Sequence, residues 1–176
     1  ALSCASVHRR DASAASPVRA ADPQAYHVII TGTPSGSIEA ALRSSAGLVT
    51  LAGKGPIPPF ALVERAREDI PRLQTALDSF GYYQNQVKIT IAGRSLDDSD
   101  LPAALEAMPA NSSAPVAITV MAGPLYHIGQ ITLTGEVPKS DRAALTLKSG
   151  DPALAGAVLD ARTALLNALE EDGYAL

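Results

Sequence analysis

Few side chains in this sequence are of a type that could carry catalysis or bind a metal, and those few are scattered. The histidines are His8, His27 and His127. A zinc site needs His, Cys or carboxylate ligands at close, regular spacing, and these three have no such neighbours. His27 and His127 each follow a tyrosine, so we predict a packing or sheet-face role for both, at the same place in two related segments.

Two other segments contain residues that could do chemistry. LDDSD contains Asp97, Asp98 and Asp100, which could bind a cation or form an acid pair. A solvated helix start explains them better, because acidic residues are favoured there. TGTPSGS, residues 31–37, follows a predicted strand but lacks the glycine spacing and the lysine of a phosphate-binding loop. No serine lies in a nucleophile-elbow sequence. We therefore expect a protein that is not an enzyme and has no cofactor and no metal.

The composition favours a packed domain that does not bind nucleic acid. The chain has 176 residues, of which 47% are hydrophobic and only 4% aromatic, so we expect an aliphatic core. Its net charge is −4 and it has no long basic run, which argues against a nucleic-acid partner. No stretch reaches the roughly 18–20 apolar residues that a membrane-spanning helix needs.

The N-terminal residues 1–24 are predicted to be a flexible lead-in, because they are rich in small and charged residues without periodicity. Cys4 is the only cysteine, so a disulfide within the chain is impossible. Cys4 is either an unpaired residue or a lipid-attachment site left after signal cleavage. Because the chain starts with Ala1, we expect an upstream segment, such as a secretory signal, to have been removed.

Residues 25–124 have the pattern strand, helix, helix, strand, strand. The first strand is a β-branched run closed by glycine, YHVIITG, and the first helix follows a cap at Ser35 or Ser37. The second helix is predicted over residues 60–80. Its apolar stripe, spaced alternately by four and three residues, consists of Ala66, Ile70, Leu73, Leu77 and Phe80. The last two strands are QVKITIAG and PVAITVMAGP, which alternate apolar and polar residues.

Two segments interrupt this regular pattern. Pro71 lies inside the second predicted helix, where proline removes a backbone donor and clashes with the preceding turn. We therefore expect either a kink at Pro71 or a helix that starts late, near Asp69. The connection 92–114 is long for a hairpin, and we expect it to contain a short helix capped by Asp98 or Ser99.

The pattern then begins again at residue 125. YHIGQITLTG echoes the first strand, and a second apolar stripe over residues 154–169 echoes the second helix. Gly173 and Tyr174 follow this helix as Gly81 and Tyr82 follow the earlier one, and we predict that both glycines end their helices in the left-handed conformation. The repeat outranks the local patterns as a guide to architecture.

The two helices of each unit need a surface on which to bury their stripes, and a small sheet offers one apolar face. We therefore predict an α+β fold of two tandem β-α-α-β-β units, 25–124 and 125–176. Each places two helices on one face of a three-stranded mixed sheet. The second unit lacks its last two strands, so we expect either that the natural chain continues or that another chain supplies them.

The repeated unit resembles the polypeptide-transport-associated (POTRA) domain family. The resemblance covers residues 25–176 and is carried by YHVIITG, RAREDIPRLQTALDSFGYYQNQV, AGPLYHIGQITLTG and LDARTALLNALEEDGY. Within the family, the sequence is most similar to the TamA group of outer-membrane assembly factors. The long connection 92–114 and Pro71 depart from the family pattern.

This resemblance implies a setting and a set of partners. POTRA domains of this kind lie in the periplasm of Gram-negative bacteria and precede a C-terminal β-barrel in the outer membrane, which this sequence does not include. The partners implied are unfolded outer-membrane proteins or autotransporters as clients, and a TamB-like periplasmic or inner-membrane subunit. Two alternatives stay open: a two-partner secretion transporter that recognises one dedicated exoprotein, and a structural or division-type scaffold.

We predict that partners bind by strand addition at a sheet edge, where backbone donors and acceptors are unpaired. The predicted acceptor strand consists of Gln86, Val87, Lys88, Ile89, Thr90 and Ile91. Lys88 would discourage uncontrolled edge-to-edge aggregation. Tyr82 or Tyr83 is predicted to pack under the helix end with its hydroxyl at water or backbone, and direct client contact by either is the alternative.

Overall fold

The structure is a computed structural model that describes residues 24–109, 112–135 and 137–174. Residues 1–23 of the predicted lead-in, with Cys4 and His8, lie outside the described residues. The helices are α1 (Gly36–Ser45), α2 (Gly47–Thr50), α3 (Pro59–Ser79), α4 (Leu101–Glu106), α5 (Lys139–Arg142) and α6 (Ala155–Glu171), with a 3-10 turn at Ala52–Lys54. The strands are β1 (Ala25–Thr31), β2 (Gln86–Ile91), β3 (Arg94–Ser95) and β4 (Ser113–Met121). In the described ranges, every helix is too short or too polar to traverse a lipid bilayer.

The four strands form one mixed sheet in the order β1-β4-β2-β3. β1 is parallel to the central strand β4, and β2 is antiparallel to it, so that Ile30 and Ile89 both lie opposite Ile118. Parallel strands need a long crossover connection, and the helical segment between β1 and β2 is part of it. The predicted α+β class, with helices on one face of a small mixed sheet, is confirmed. The two-residue strand β3 is an addition to the three strands that we predicted.

The core lies between the sheet and the helices α1, α3 and α4. Along β4, Val116, Ile118 and Val120 are buried against the helices, while Thr119 and Met121 are exposed on the opposite face. Helix α3 contributes the buried residues Leu62, Val63, Ala66, Leu73 and Leu77. A fully buried aliphatic side chain stabilises the fold by about 1.5–3 kcal/mol. One face of the sheet is therefore covered, and the other is open to solvent.

Helix α3 runs without interruption from Pro59 to Ser79 and passes through Pro71, so the late start predicted near Asp69 is wrong. Pro71 is exposed, and so is Arg67, the residue whose carbonyl loses its donor. Burial of the opposite face outweighs the cost of the single lost hydrogen bond. Pro59, in the first turn, suits a helix start because proline has no N–H to leave unpaired there.

The predicted caps have mixed outcomes. The Ser35 side chain accepts a hydrogen bond from Ile38 N at 3.4 Å at the start of α1, which confirms the cap at that serine. The prediction that Asp98 or Ser99 caps α4 is wrong, because its N-cap residue is Asp100, which makes no side-chain cap bond. Asp98 instead accepts a hydrogen bond from Asp100 N at 2.9 Å, in the turn before the helix.

The two long helices end in the same way, which accounts for the repeated helix–Gly–Tyr pattern. Gly81 and Gly173 have φ of 85° and 86°, the left-handed conformation that glycine adopts without strain. The N–H groups of Gly81 and Tyr82 donate back to carbonyls of the last turn of α3, at 2.9 and 3.1 Å. Those of Gly173 and Tyr174 do the same in α6, both at 3.0 Å. This is the Schellman motif, and the predicted role of both glycines is confirmed.

Residues 126–135, which we predicted to be the first strand of the second unit, do not form a strand. Only an isolated bridge links His127 with Pro152, and a strand needs a longer ladder with a partner to be stable. The corresponding bridge at the start of β1 joins Gln24 with Ile57. His127 lies in an isolated bridge and not in a strand, so a sheet-face role is not confirmed for it. His27 lies within β1, where its Nδ1 is 3.1 Å from Ser113 Oγ.

Candidate partner-binding edge

Over part of its length, β2 has backbone groups on its outer side that are not paired with any other strand. Ala92 N donates to Pro115 O at 2.7 Å, so the backbone of Ala92 faces β4. Backbone groups alternate sides along a strand in an antiparallel ladder, so those of Val87 and Ile89 face away from β4. In the part of the chain that the structure describes, neither residue has a backbone partner on that side. Residues 86–89 are therefore called the open β2 edge.

The rest of the predicted acceptor strand is covered. β3 pairs antiparallel with the end of β2, with Ser95 opposite Thr90 and Arg94 opposite Ile91. The two strands are joined by a two-residue turn in which Ala92 has φ 51° and Gly93 has φ 77°, as in a type I′ hairpin turn. Thr90 and Ile91 are thus paired on both sides, and the accessible part of the predicted site is shorter than expected.

A groove of about 310 Å³ runs between the open β2 edge and helix α3. Its lining residues are Arg67, Ile70, Val87, Lys88, Ile89, Ser95, Leu96 and Asp97. The apolar side chains come from three elements that meet here: Ile70 from α3, Val87 and Ile89 from β2, and Leu96 from the segment after β3. Arg67 is held at the groove by its hydrogen bond from Nη2 to Leu96 O, at 2.8 Å.

Lys88 lies between the two outward-facing backbone positions. Lys88 is exposed, and its backbone faces β4 opposite Thr119. On the same face of the sheet, its neighbour along β2 is Thr90. A charged residue in this place makes pairing with another copy of the same edge unfavourable, because two lysines would come close together. The predicted protective role of Lys88 is compatible with this position and stays a prediction.

The opposite edge of the sheet is β1, which is more shielded at its start. Gln24 N donates to Ile57 O at 2.7 Å and Ile57 N donates to Gln24 O at 3.1 Å, and the 3-10 turn packs beside β1. By the same alternation, the backbone groups of Tyr26, Val28 and Ile30 face this edge. The sheet therefore has two borders with unpaired positions, and only the β2 border lies next to the groove described above.

The paired tyrosines after α3 have distinct structural roles. Tyr82 is half-buried and packs against the main core. Tyr83 is 52% exposed, its hydroxyl donates to Ala153 O at 3.3 Å, and its ring meets Tyr126 edge-to-face with centroids 5.5 Å apart. The hydroxyl of Tyr83 thus lies at a backbone carbonyl, as predicted, whereas the ring packed against the core is that of Tyr82; the combination of both features in one tyrosine is not shown and stays a prediction. Tyr83 joins the first unit to the segment that follows β4.

The acidic run takes part in turn structure. Asp98 accepts hydrogen bonds from Asp100 N at 2.9 Å and from Arg94 Nη1 at 2.8 Å. The Asp100 N–H, together with the Arg94 guanidinium, holds the pKa of Asp98 below its usual range. Asp97 lies at the rim of the groove. Across the described ranges, no group of three or more His, Cys, Asp or Glu side chains is arranged to hold a metal ion.

The sequence did not indicate the groove residues outside β2. Ile70 stood in the predicted apolar stripe of α3, and its half-burial distinguishes it from the fully buried Leu73. Leu96 is an isolated apolar residue between polar ones in the predicted connection, which is a weak signal for an anchored residue. Arg67 carries no signal, because one exposed arginine on a helix resembles any other.

Comparison of the chain with protein-family models gave no match, and no curated protein matches it. Neither comparison therefore assigns a family.

Proposed function

We propose that this chain is the POTRA region of an outer-membrane protein assembly factor similar to the TamA group. It acts in the periplasm, carried by a β-barrel outside this sequence. It binds a TamB-like assembly subunit and unfolded outer-membrane or autotransporter clients by strand addition. The observation that carries the proposal is the open β2 edge, where Val87 and Ile89 present unpaired backbone groups beside a groove.

Strand addition suits a protein that must receive many clients. Backbone hydrogen bonds form with any extended segment except at proline, so an open edge recognises conformation more than sequence. The element order from β1 to β4 and the helix layer on one sheet face are compatible with a POTRA-type unit. Without the short elements α2, the 3-10 turn, β3 and α4, the order is β-α-α-β-β, and this order together with the open β2 edge supports a module that receives extended segments.

The experiment places proline at matched positions on the two sheet borders. Val87→Pro removes the outward N–H of the open β2 edge, and Val28→Pro removes the corresponding N–H of β1. Both valines are half-buried, and both have backbone groups that face away from β4, where proline removes no hydrogen bond of the sheet. Far-UV circular dichroism checks that each variant folds. The probe is a urea-unfolded outer-membrane β-barrel protein diluted into buffer, and binding is measured by crosslinking from a photoreactive residue at Gln86.

We expect Val87→Pro to weaken capture about fivefold, which is the effect of losing one backbone hydrogen bond of about 1 kcal/mol. Val28→Pro should leave capture unchanged. Loss of capture by Val28→Pro alone would move the docking edge to β1. Undiminished capture by both folded variants would refute strand addition, and capture restricted to one exoprotein sequence would favour the secretion-transporter alternative.

A further inference from the structure

The open β2 edge is short because a hairpin blocks one end of it. At Ile91 the outward backbone groups are taken by Arg94 of β3, so an added strand can pair only along residues 86–89. Within that range only Val87 and Ile89 face outward. They offer two N–H donors and two C=O acceptors, which an extended segment of about four residues can satisfy at about 3.3 Å of strand per residue.

The hairpin is held firmly in place by the segment that follows it. Leu96, Leu101 and Leu105 are 5%, 0% and 1% exposed, and helix α4 packs on α3. Moving β3 away from β2 would expose these leucines, at a cost that grows with each buried apolar side chain uncovered. Residues 92–109 therefore act as a fixed stop rather than as a loop that a partner can push aside.

The groove adds a second constraint on the partner. Side chains of an added strand alternate between the two sheet faces, so every second one points to the helix side, above the groove. The floor there is made by Ile70, Val87, Ile89 and Leu96, with Arg67 at the rim. An aliphatic or aromatic side chain fills such a floor, whereas a charged one would lose water without gaining a matched partner.

We propose that the open β2 edge selects a short extended segment of about four residues that places one aliphatic or aromatic side chain in the groove, with the β3 hairpin fixing its position. This inference rests on the proposed function, because it specifies the partner segment of the same edge. The length limit distinguishes this edge from an unrestricted strand acceptor, to which a longer segment would bind more tightly with every further paired residue.

The test is a titration of the ¹⁵N-labelled chain with threonine-rich peptides of two to eight residues, each with one phenylalanine or with alanine in its place. Chemical-shift changes of the Val87 and Ile89 amides report binding at the edge. We expect affinity to rise up to about four residues and then to stay level, and the phenylalanine peptides to bind about tenfold more tightly than the alanine peptides.

Two variants test separately the length limit set by the β3 hairpin and the side-chain preference set by the groove. Arg94→Pro removes the N–H that faces Ile91, and it should move the plateau to longer peptides. Ile70→Ser, at a half-buried position on the groove floor, should reduce the preference for phenylalanine severalfold and leave the length dependence unchanged. Both positions lie outside the hydrophobic residues that are fully buried, and circular dichroism with the shifts of distant amides checks the fold of each.

If affinity for the unaltered chain keeps rising up to eight residues, the inferred length limit is wrong. If the two peptide series bind with equal affinity, the inferred preference of the groove for an apolar side chain is wrong. If no peptide binds while a full-length unfolded client is still captured in a manner sensitive to Val87→Pro, the inference fails and the proposed function stands. If peptides bind as expected but unfolded outer-membrane clients do not, the proposed function fails and the partner of the edge belongs to another process.

Discussion

Asp69 is a fully buried carboxylate in the middle of helix α3, and its replacement gives the sharpest test of how the first unit is held together. Its two oxygens accept hydrogen bonds from Gly47 N at 2.9 Å and Leu48 N at 2.7 Å, the first N–H groups of α2. Arg72 Nη1 lies 3.1 Å from the same carboxylate. Asp69 thus caps a neighbouring helix start from within the core.

The expected cost of Asp69→Ala follows from these contacts. A hydrogen bond to a charged group contributes about 1.5–3 kcal/mol, and a buried donor left unpaired costs about 1–3 kcal/mol. Since two N–H groups lose their acceptor together and Leu48 is fully buried, we expect the free energy of unfolding to fall by about 3–5 kcal/mol. Asp69→Asn keeps one acceptor oxygen, so its effect should be about half as large.

The assay is urea unfolding followed by far-UV circular dichroism, with amide hydrogen exchange at Leu48 as a local readout. Arg72→Ala is the comparison variant, because the Arg72 side chain is 51% exposed and Asp69 keeps both N–H donors in it, so we expect a smaller loss than in Asp69→Ala. If Asp69→Ala and Arg72→Ala reduce the free energy of unfolding equally, or if Leu48 stays protected from exchange in Asp69→Ala, the capping role is refuted.

Three further predictions concern single backbone or titrating positions. Ala92→Gly should raise the free energy of unfolding by about 0.5–1 kcal/mol in urea unfolding, because Ala92 has φ 51° and alanine is strained there; an unchanged value would contradict this. Gly81→Ala should cost more than Gly173→Ala, since both have left-handed φ but an added Cβ meets backbone at 3.2 Å only at Gly81; equal losses of thermal stability would show that this contact is unimportant. The carboxyl of Asp141, through a shared hydrogen bond and then through its charge, raises the pKa of Asp172 above its ordinary value of 3.8. The folded state therefore binds this proton more strongly, so its stabilising effect is present below pH 3.8 and is lost as pH rises through the higher folded pKa; hydrogen exchange at the end of α6 should show this loss in the unaltered chain and not in Asp172→Asn.

The regular elements of the first unit were predictable from the sequence because local signals and burial agree there. The stripe of α3, the alternation in β2 and β4 and the glycine after α3 each have one clear physical interpretation. Pro71 misled the helix start because its cost is local, while the gain from burying Leu62 and Leu73 comes from the tertiary structure. The helix α2 was missed because a helix of four residues has no periodicity to detect.

The candidate site was predictable in part. The alternation of β2 identified a strand with one solvent-facing side but not its place at an edge. Nothing in the residues indicated that Arg94 and Ser95 would fold back on it, because two residues cannot show a strand pattern. Ala92 is also an unusual residue for a type I′ turn, where Asn or Gly is expected, so the hairpin had no sequence signature. Asp69 had a detectable signal, since it stands on the buried stripe between Ala66 and Leu73.

The two unlike borders of this small sheet have a consequence for behaviour at high concentration. If β1 of one copy met β2 of another, the contact would be heterologous, and repeating it would build an open fibre rather than a closed ring or dimer. The molecule opposes such growth with a very short β2 border, with Lys88 on it and with Gln24 already bonded at the start of β1. Loosening the hairpin after Ile91 would thus lengthen the part of β2 that is open to another copy of the chain as well as to the proposed partner.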